Sequence, residues 1–198
     1  MKLLLFSDVH CDLDAARRLV TRSAEVDVVV CAGDLAVMRE GLEGVVGVLS
    51  AIGIPTVLVP GNGESDEELA RACADWPTAH VLHGSGVEID GTSFWGVGGA
   101  IPVTPFGDWS FDLSEEEGRA LLAECPEGAV LVSHSPPWGH VDEAGGRHLG
   151  SRAVLEAVER ARPTLVACGH IHACWGRESA VGASLILNAG PRGMVVEV

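Results

Sequence analysis

The chain has 198 residues, of which 47% are hydrophobic and 21% charged, and a formal net charge of −15 at pH 7. That composition describes one ordinary globular domain with its own core and excludes a disordered chain. The acidic surplus also speaks against a nucleic-acid backbone or an anionic membrane as a bulk partner, although a small phosphate substrate is not excluded, because local cations can invert the field inside a cleft.

Residues 1–6 have the cationic and apolar character of a secretion signal, but Ser7-Asp8-Val9-His10 ends the apolar run too early, so they read as a first buried strand. No later stretch is long enough to span a bilayer. The six cysteines show no C-x-x-C and no paired spacing. They read as reduced thiols of a cytoplasmic protein, with Cys31 and Cys168 in the core.

A helical period follows over 13–23, with Leu13, Ala16, Leu19 and Val20 on one face. Val28-Val29-Val30-Cys31 is apolar at every position, as in a strand buried on both faces, and it runs into Ala32-Gly33-Asp34. Residues 37–52 are expected to form a second helix and 54–59 a third strand, which leads into Gly61-Asn62-Gly63-Glu64. Ser65 is a good N-cap for an acidic-fronted helix over 66–74. Three successive strand-loop-helix units imply parallel βαβ connections with their loops on one sheet edge.

The short runs 80–82, 87–89 and 93–97 are broken by glycine turns and are expected to be antiparallel hairpins. Residues 101–112, dense in proline and aromatic residues, read first as a loop that packs its own rings and second as a cleft wall. A helix is expected over 114–123 and a strand over 129–132, which ends in Ser133-His134-Ser135-Pro136-Pro137. Residues 135–150 have no periodicity and carry Trp138, His140, Asp142 and His148; structureless segments of that length are usually functional. Ser151 caps a helix to 161, a strand over 164–167 ends in Cys168-Gly169-His170-Ile171-His172, and 181–187 and 194–198 close the fold.

Five strands therefore end in polar residues: Asp8 with His10, Asp34, Asn62, His134, and His170 with His172. A histidine at one strand end is usually structural, and an Asp after Gly is usually a turn residue. Together on one sheet edge, where open α/β sheets bind ligands, these oxygen and nitrogen donors suit Mn, Fe, Zn or related ions.

The ordered set Asp8-x-His10, Gly33-Asp34, Gly61-Asn62, His134 and Gly169-His170-x-His172 resembles the calcineurin-like metallophosphoesterases over nearly the whole chain. More narrowly, Ser133-His134-Ser135-Pro136-Pro137 with Asp142, His148, Gly150-Ser151 and Gly169-His170-Ile171-His172 resembles the branch of small phosphodiesterases that includes the metallophosphoesterase-domain (MPPED) proteins. The resemblance implies a four-layer α/β/β/α sandwich of two mixed β-sheets flanked by helices, built around two divalent metal ions. Manganese is the first expectation, with Fe, Zn, Ni or Co as alternatives. It assigns Asp8, His10 and His172 to one ion, Asn62, His134 and His170 to the other, and Asp34 to both. Two cations about 3.5–4 Å apart can share a hydroxide and clamp a phosphoryl oxygen against it.

One residue departs from the pattern. The family has a histidine after the asparagine that helps the leaving group, where this chain has Gly63. Glycine cannot donate a proton, and a general acid is typically worth ~10²–10⁴ in rate. The expected catalytic residues are Asp34, Asn62 and His148, with His148 or His140 as replacement acid and Gly63→His as a change that should raise turnover. Gly63, Trp109, Trp138 and His148 are the candidate substrate contacts. The function implied is hydrolysis of a small phosphodiester; a phosphomonoesterase and a non-catalytic scaffold of the same fold are the alternatives. The few basic residues near the motifs, Arg147, Arg152, Arg177 and Arg192, weigh against a doubly charged monoester.

Overall fold

A computed structural model describes residues 1–198. The chain opens with strand β1 (Lys2–Phe6), helix α1 (Leu13–Ser23), β2 (Val28–Cys31), α2 (Leu42–Leu49), β3 (Thr56–Leu58), α3 (Asp66–Ala72) and β4 (Ala79–Val81). A second set follows: β5 (Ser85–Ile89), β6 (Thr92–Val97), α4 (Glu115–Leu122), β7 (Val130–Ser133), β8 (Glu143–Ala144), β9 (Arg147–His148), α5 (Arg152–Ala161) and β10 (Leu165–Cys168). After one 3₁₀ turn, His172–Cys174, the chain closes with β11 (Glu178–Val181), β12 (Ser184–Asn188) and β13 (Met194–Glu197).

The strands form two mixed sheets, in the orders β13-β1-β2-β3-β4 and β11-β12-β10-β7-β6-β5, and β8 and β9 make a small separate ladder. Strand alternation produces the layers. On β1, Leu4 and Phe6 join Val29, Cys31 and Leu58 beneath α1, α2 and α3, which supply Leu19, Leu49 and Leu69. Leu3 and Leu5 point the other way and meet Phe94, Val130, Val132, Leu165 and Leu187 of the second sheet. On that sheet's far face, Leu131, Val166 and Ile186 pack under Leu122 of α4 and Val154 and Val158 of α5. These are the expected α/β/β/α layers. The uninterrupted apolar runs arise because both faces of each central strand are covered.

Capping fixes where the helices begin. Asp12 accepts the amides of Asp14 and Ala15, and Ser65 and Ser114 each form a reciprocal capping box, with Glu68 and Glu117. Helix α2 is much shorter than the expected 37–52. Met38, Arg39 and Gly41 have φ of 49°, 72° and 81°, and Val37 bridges Glu40, so the chain turns before the helix can start. Residues 80–82 also differ: β4 pairs parallel with β3 at the edge of the first sheet, and only β5 and β6 form the antiparallel hairpin. The closing strand expected over 181–187 is a hairpin of β11 and β12, and the aperiodic 135–150 segment contains the β8–β9 ladder. All six cysteines are free, and no helix is long and apolar enough to cross a membrane.

Packing between the sheets makes a direct test available. Phe94 is 1% exposed between the two sheets, so Phe94→Ala should lower stability by about 3–5 kcal/mol, read by chemical denaturation.

Candidate metal centre

The loops after β1, β2, β3, β7 and β10 converge at one edge of the sandwich, and backbone bonds across them fix their spacing. Asp8 N donates to Gly33 O at 2.8 Å, His10 N to Asp34 O at 3.0 Å, and Gly169 N to His134 O at 3.0 Å. Asp8, His10, Asp34 and His170 all have positive φ, between 46° and 65°, which non-glycine residues rarely adopt. Such strain concentrates at functional sites and persists where surrounding structure over-determines it.

Two groups of donors result: Asp8, His10 and His172, and Asp34, His134 and His170, each with ligand atoms all within 4.8 Å of one another. Asp34 lies between the groups, with Oδ2 3.6 Å from His10 Nε2 and 3.5 Å from His134 Nε2. Asn62 Oδ1 adds a neutral oxygen 3.2 Å from His134 Nε2. The seven residues picked out at the strand ends are therefore brought together.

The donor chemistry fits divalent cations. His134 Nδ1 donates to Ala32 O at 2.8 Å and His10 Nδ1 to Ala36 O at 3.3 Å, which turns each ring's Nε2 toward the cluster. Burial alone would lower His134, but the charges of Asp34 and Asp8 outweigh it and raise it. His10 Nε2 and His172 Nε2 face each other at 3.1 Å. Burial, reinforced by the neighbouring His134, pushes His170 down to about 3, which keeps it neutral as a metal ligand must be. Burial raises Asp8. Burial acts the same way on Asp34, but the charges of His134 and His10 and the Gly63 N–H outweigh it and hold that carboxyl low.

Several supports carried no sequence signal. Trp175 Nε1 donates to Asp8 Oδ2 at 3.0 Å, and His170 N donates to Asp8 Oδ1 at 3.0 Å. Asn188 Nδ2 donates to the carbonyls of Gly169 and Ile171 at 3.0 and 3.2 Å, pinning the loop that presents His170 and His172. Buried Glu64 accepts the amides of Leu35, Ala36 and Gly61 at 3.2, 2.9 and 2.8 Å and so ties the β2 loop to the β3 loop. Burial, with the Asp34 charge beside it, pushes Glu64 up to about 7. An acidic residue after Gly63 was legible, but nothing along the chain showed that its partners would include backbone amides 29 and 28 residues upstream.

A cleft of about 820 Å³ opens over the donors, and His10, Asp34, Asn62, His170 and His172 form part of its lining. Trp109, Trp138 and His148 line it too. The loop over 101–112 satisfies both of its readings: Phe106 and Trp109 stack at 5.6 Å with an interplanar angle of 11°, and the pair forms part of the cleft wall. His140 lies off this cleft, with Nδ1 2.8 Å from Ser179 Oγ, which leaves His148 as the histidine of that segment at the cleft.

Gly63 does not line the cleft. Its amide donates to Asp34 Oδ1 at 2.8 Å, and a Cβ there would come within 2.8 Å of Ala36 O. The expectation that Gly63→His simply restores an acid is corrected: main chain closes on this position, and any side chain must displace it.

The profile of the calcineurin-like phosphoesterase superfamily domain matches residues 1–196. The chain belongs to this superfamily. Among curated relatives, the UPF0046 protein K07C11.7 of Caenorhabditis elegans is 34% identical over 96 residues, 46% of this chain and 31% of that protein. The UPF0046 protein T07D4.2 of the same organism is 35% identical over 105 residues, 50% of this chain and 25% of that protein. The matches thus span less than a third of the length of these relatives. Among solved structures, TT1561 of Thermus thermophilus superposes with a TM-score of 0.75 at 21% identity, over 96% of this chain and 88% of that one. A dimetal phosphatase from Danio rerio superposes with a TM-score of 0.62 at 16% identity, over 96% and 87%. Both likenesses establish the metallophosphoesterase fold, with its two mixed sheets between helices.

For this superfamily member, two substitutions probe the loop packing. Gly63→Ala should cost about 1–3 kcal/mol through crowding against Ala36 O, visible as a lower Tm. Glu64→Ala should cost roughly 3 kcal/mol or more, because three amides lose their acceptor, and Glu64→Gln, which keeps one amide oxygen, should cost less.

Proposed function

We propose that the chain is a dinuclear-metal-dependent phosphodiesterase acting on a small phosphodiester, with Asp8, His10 and His172 holding one ion, Asn62, His134 and His170 the other, and Asp34 shared between them. The observation that carries the reading is the convergence of these donors beneath a cleft whose walls are largely apolar: Pro102, Val103, Pro105, Phe106, Trp109, Trp138 and Leu149. The mixed imidazole, carboxylate and amide set suits Mn first and Fe, Zn, Ni or Co as alternatives. The shared fold of the Danio rerio dimetal phosphatase supports the two-ion reading.

The preference for a diester follows from charge. Arg152 is the only Lys or Arg lining the cleft, and Glu115 lines it as well. A monoester near neutral pH carries about two negative charges, for which more cationic contacts would be expected. A diester carries one charge and a second organic arm that the apolar walls can hold. Trp138, with the Arg152 guanidinium 4.2 Å from its ring centre, and the Phe106–Trp109 pair offer flat surfaces for that arm.

When bound, two divalent ions would polarise a phosphoryl oxygen and make water a competent nucleophile near neutral pH. The chain's own part is to orient and to supply a proton. Asp142, buried, accepts the amides of Gly139 and Gly150 at 2.9 Å each and His148 Nδ1 at 2.7 Å. That bond orients the His148 ring at the cleft and raises its pKa above the ordinary 6.5, with the Asp142 charge as a further cause. His148 can then hand its Nε2 proton to the departing alkoxide, the task that Gly63 cannot perform. Small phosphate esters are the expected partners, and the six free thiols support a reducing compartment such as the cytoplasm.

Purified protein stripped with EDTA and reloaded with Mn²⁺ should hydrolyse bis(4-nitrophenyl) phosphate faster than 4-nitrophenyl phosphate, and Asp34→Asn should abolish both. No metal-dependent rate would sink the enzymatic reading, and a faster monoester would reverse the preference. His148→Ala should lower turnover of a diester with an alkyl leaving group by ~10²–10⁴, and that of the 4-nitrophenyl ester far less. An equal loss on both substrates would remove His148 as the acid.

The His148 titration gives a separate check. Its folded pKa is raised, so the stabilisation from the Asp142 contact is complete below the unfolded value and is lost as pH rises through the folded one. NMR should place the His148 midpoint above 6.5, and the Tm gap between the native chain and His148→Gln should narrow as pH rises through that midpoint.

A further inference from the structure

Asn62 is the one donor of the seven whose two ends look alike in shape and differ in chemistry. Its Oδ1 can bind a cation; its Nδ2, which carries two hydrogens, cannot. A half-turn about the last side-chain bond would exchange them, so something must hold the oxygen toward His134.

The loop over 101–112 does so through a chain of bonds whose direction is fixed by one carboxylate. Asp112 Oδ2 accepts Thr104 N at 2.6 Å and Thr104 Oγ1 at 2.7 Å, and Asp112 Oδ1 lies 2.5 Å from Ser110 Oγ. An ionised carboxylate only accepts, so Ser110 spends its single hydrogen on Asp112. Ser110 Oγ therefore meets its remaining neighbours, Thr104 Oγ1 at 3.3 Å and the Asn62 side chain at 3.0 Å, only as an acceptor, and the Asn62 atom it meets must be Nδ2. Oδ1 is left facing His134 Nε2 at 3.2 Å. The loop is tied to the same residue through the main chain, where Phe111 N donates to Asn62 O at 2.9 Å. Arg39 braces it from outside: Nε donates to Trp109 O at 2.7 Å, and the guanidinium pairs with Glu68 at 2.5 Å.

We infer that Ser110 and Asp112 are positioning residues that set the polarity of the Asn62 amide, so that the loop forming the aromatic wall of the cleft also determines the affinity of one of the two metal sites. The inference rests on the dinuclear reading and adds two residues to it that touch neither ion. It links the two halves of the site physically: the segment that carries Phe106 and Trp109 is also the one that aims the oxygen of Asn62.

The test is ion binding, independent of turnover. Mn²⁺ titration of metal-free protein, followed by the free-ion electron paramagnetic resonance signal, should give two ions for the native chain. Ser110→Ala removes the acceptor, and Asp112→Asn, nearly the same shape, lets an amide N–H face Ser110 and so permits the chain of bonds to reverse. Each should weaken one of the two ions by about 10–100-fold and leave the other within error. Ser110→Thr keeps the hydroxyl and should bind both ions as the native chain does. Native affinity for both ions in Ser110→Ala and Asp112→Asn would overturn the inference while leaving the dinuclear reading intact. So would weakening of both ions together with a lowered Tm that Ser110→Thr shares, since that pattern marks general damage to the loop. A native chain that binds fewer than two ions would overturn both.

Discussion

Two carboxylates buried side by side are the constraint around which the rest of the structure is arranged. Asp8 and Asp34 are 2% and 4% exposed, and the charge of Asp34 acts on Asp8 with the same sign as burial itself. Desolvated like charges are costly unless paired, and this chain surrounds the pair with four imidazoles, several N–H donors and no Lys or Arg. Burial holds His170 neutral, and His134, which the Asp34 and Asp8 charges raise against burial, cannot alone balance two carboxylates. The charge balance is left for cations that the chain does not itself contain, and this is why the cluster makes sense as a metal centre and poor sense as a structural polar core.

That arrangement depends on loops no isolated peptide would favour. Asp8, His10, Asp34 and His170 sit in the left-handed region, and each is held from outside by bonds that bridge loops or sheets. The inter-sheet bond from His134 Nδ1 to Ala32 O is one such tie, and the Glu64 carboxylate on three amides is another. The sandwich supplies the rigidity: apolar strands covered on both faces bring five loop sets to one edge without using any donor for packing.

Strand and helix positions with strong local causes were legible along the chain. The apolar runs of β1 and β2, the 3.6-residue period of α1 and the capping serines at 65 and 151 each act within a few residues, and the structure follows them closely. The donors were legible for a similar reason, because each follows its own strand. Residues 37–41 were not, since Met38 and Arg39 adopt left-handed backbone to let Arg39 reach Trp109 and Glu68, a tertiary demand that overrides propensity. Nor were Trp175, Asn188, Ser110 and Asp112, which are ordinary residues until folding places them against Asp8, the His170 loop and Asn62. Contacts that join residues 19, 48 and 167 positions apart leave no period to read.

Gly63 shows the limit of reading a motif by what is missing. As a gap in a pattern it looks like a lost acid that one substitution could return. In the folded chain Glu64 draws the main chain of Leu35 and Ala36 toward Gly61, and that approach fills the place a side chain at 63 would need. The absence of a histidine and the tight closure of the loops are one feature. In the proposed phosphodiesterase, a proton donor for the leaving group would come from another wall of the cleft. The segment after β7 offers one there: a histidine whose Nδ1 is held by a buried carboxylate and whose Nε2 has no protein partner. On that proposal the aperiodic stretch between Ser135 and Gly150 and Gly63 are linked, because Gly63 is closed to a side chain and His148 at the cleft would supply the group it cannot carry.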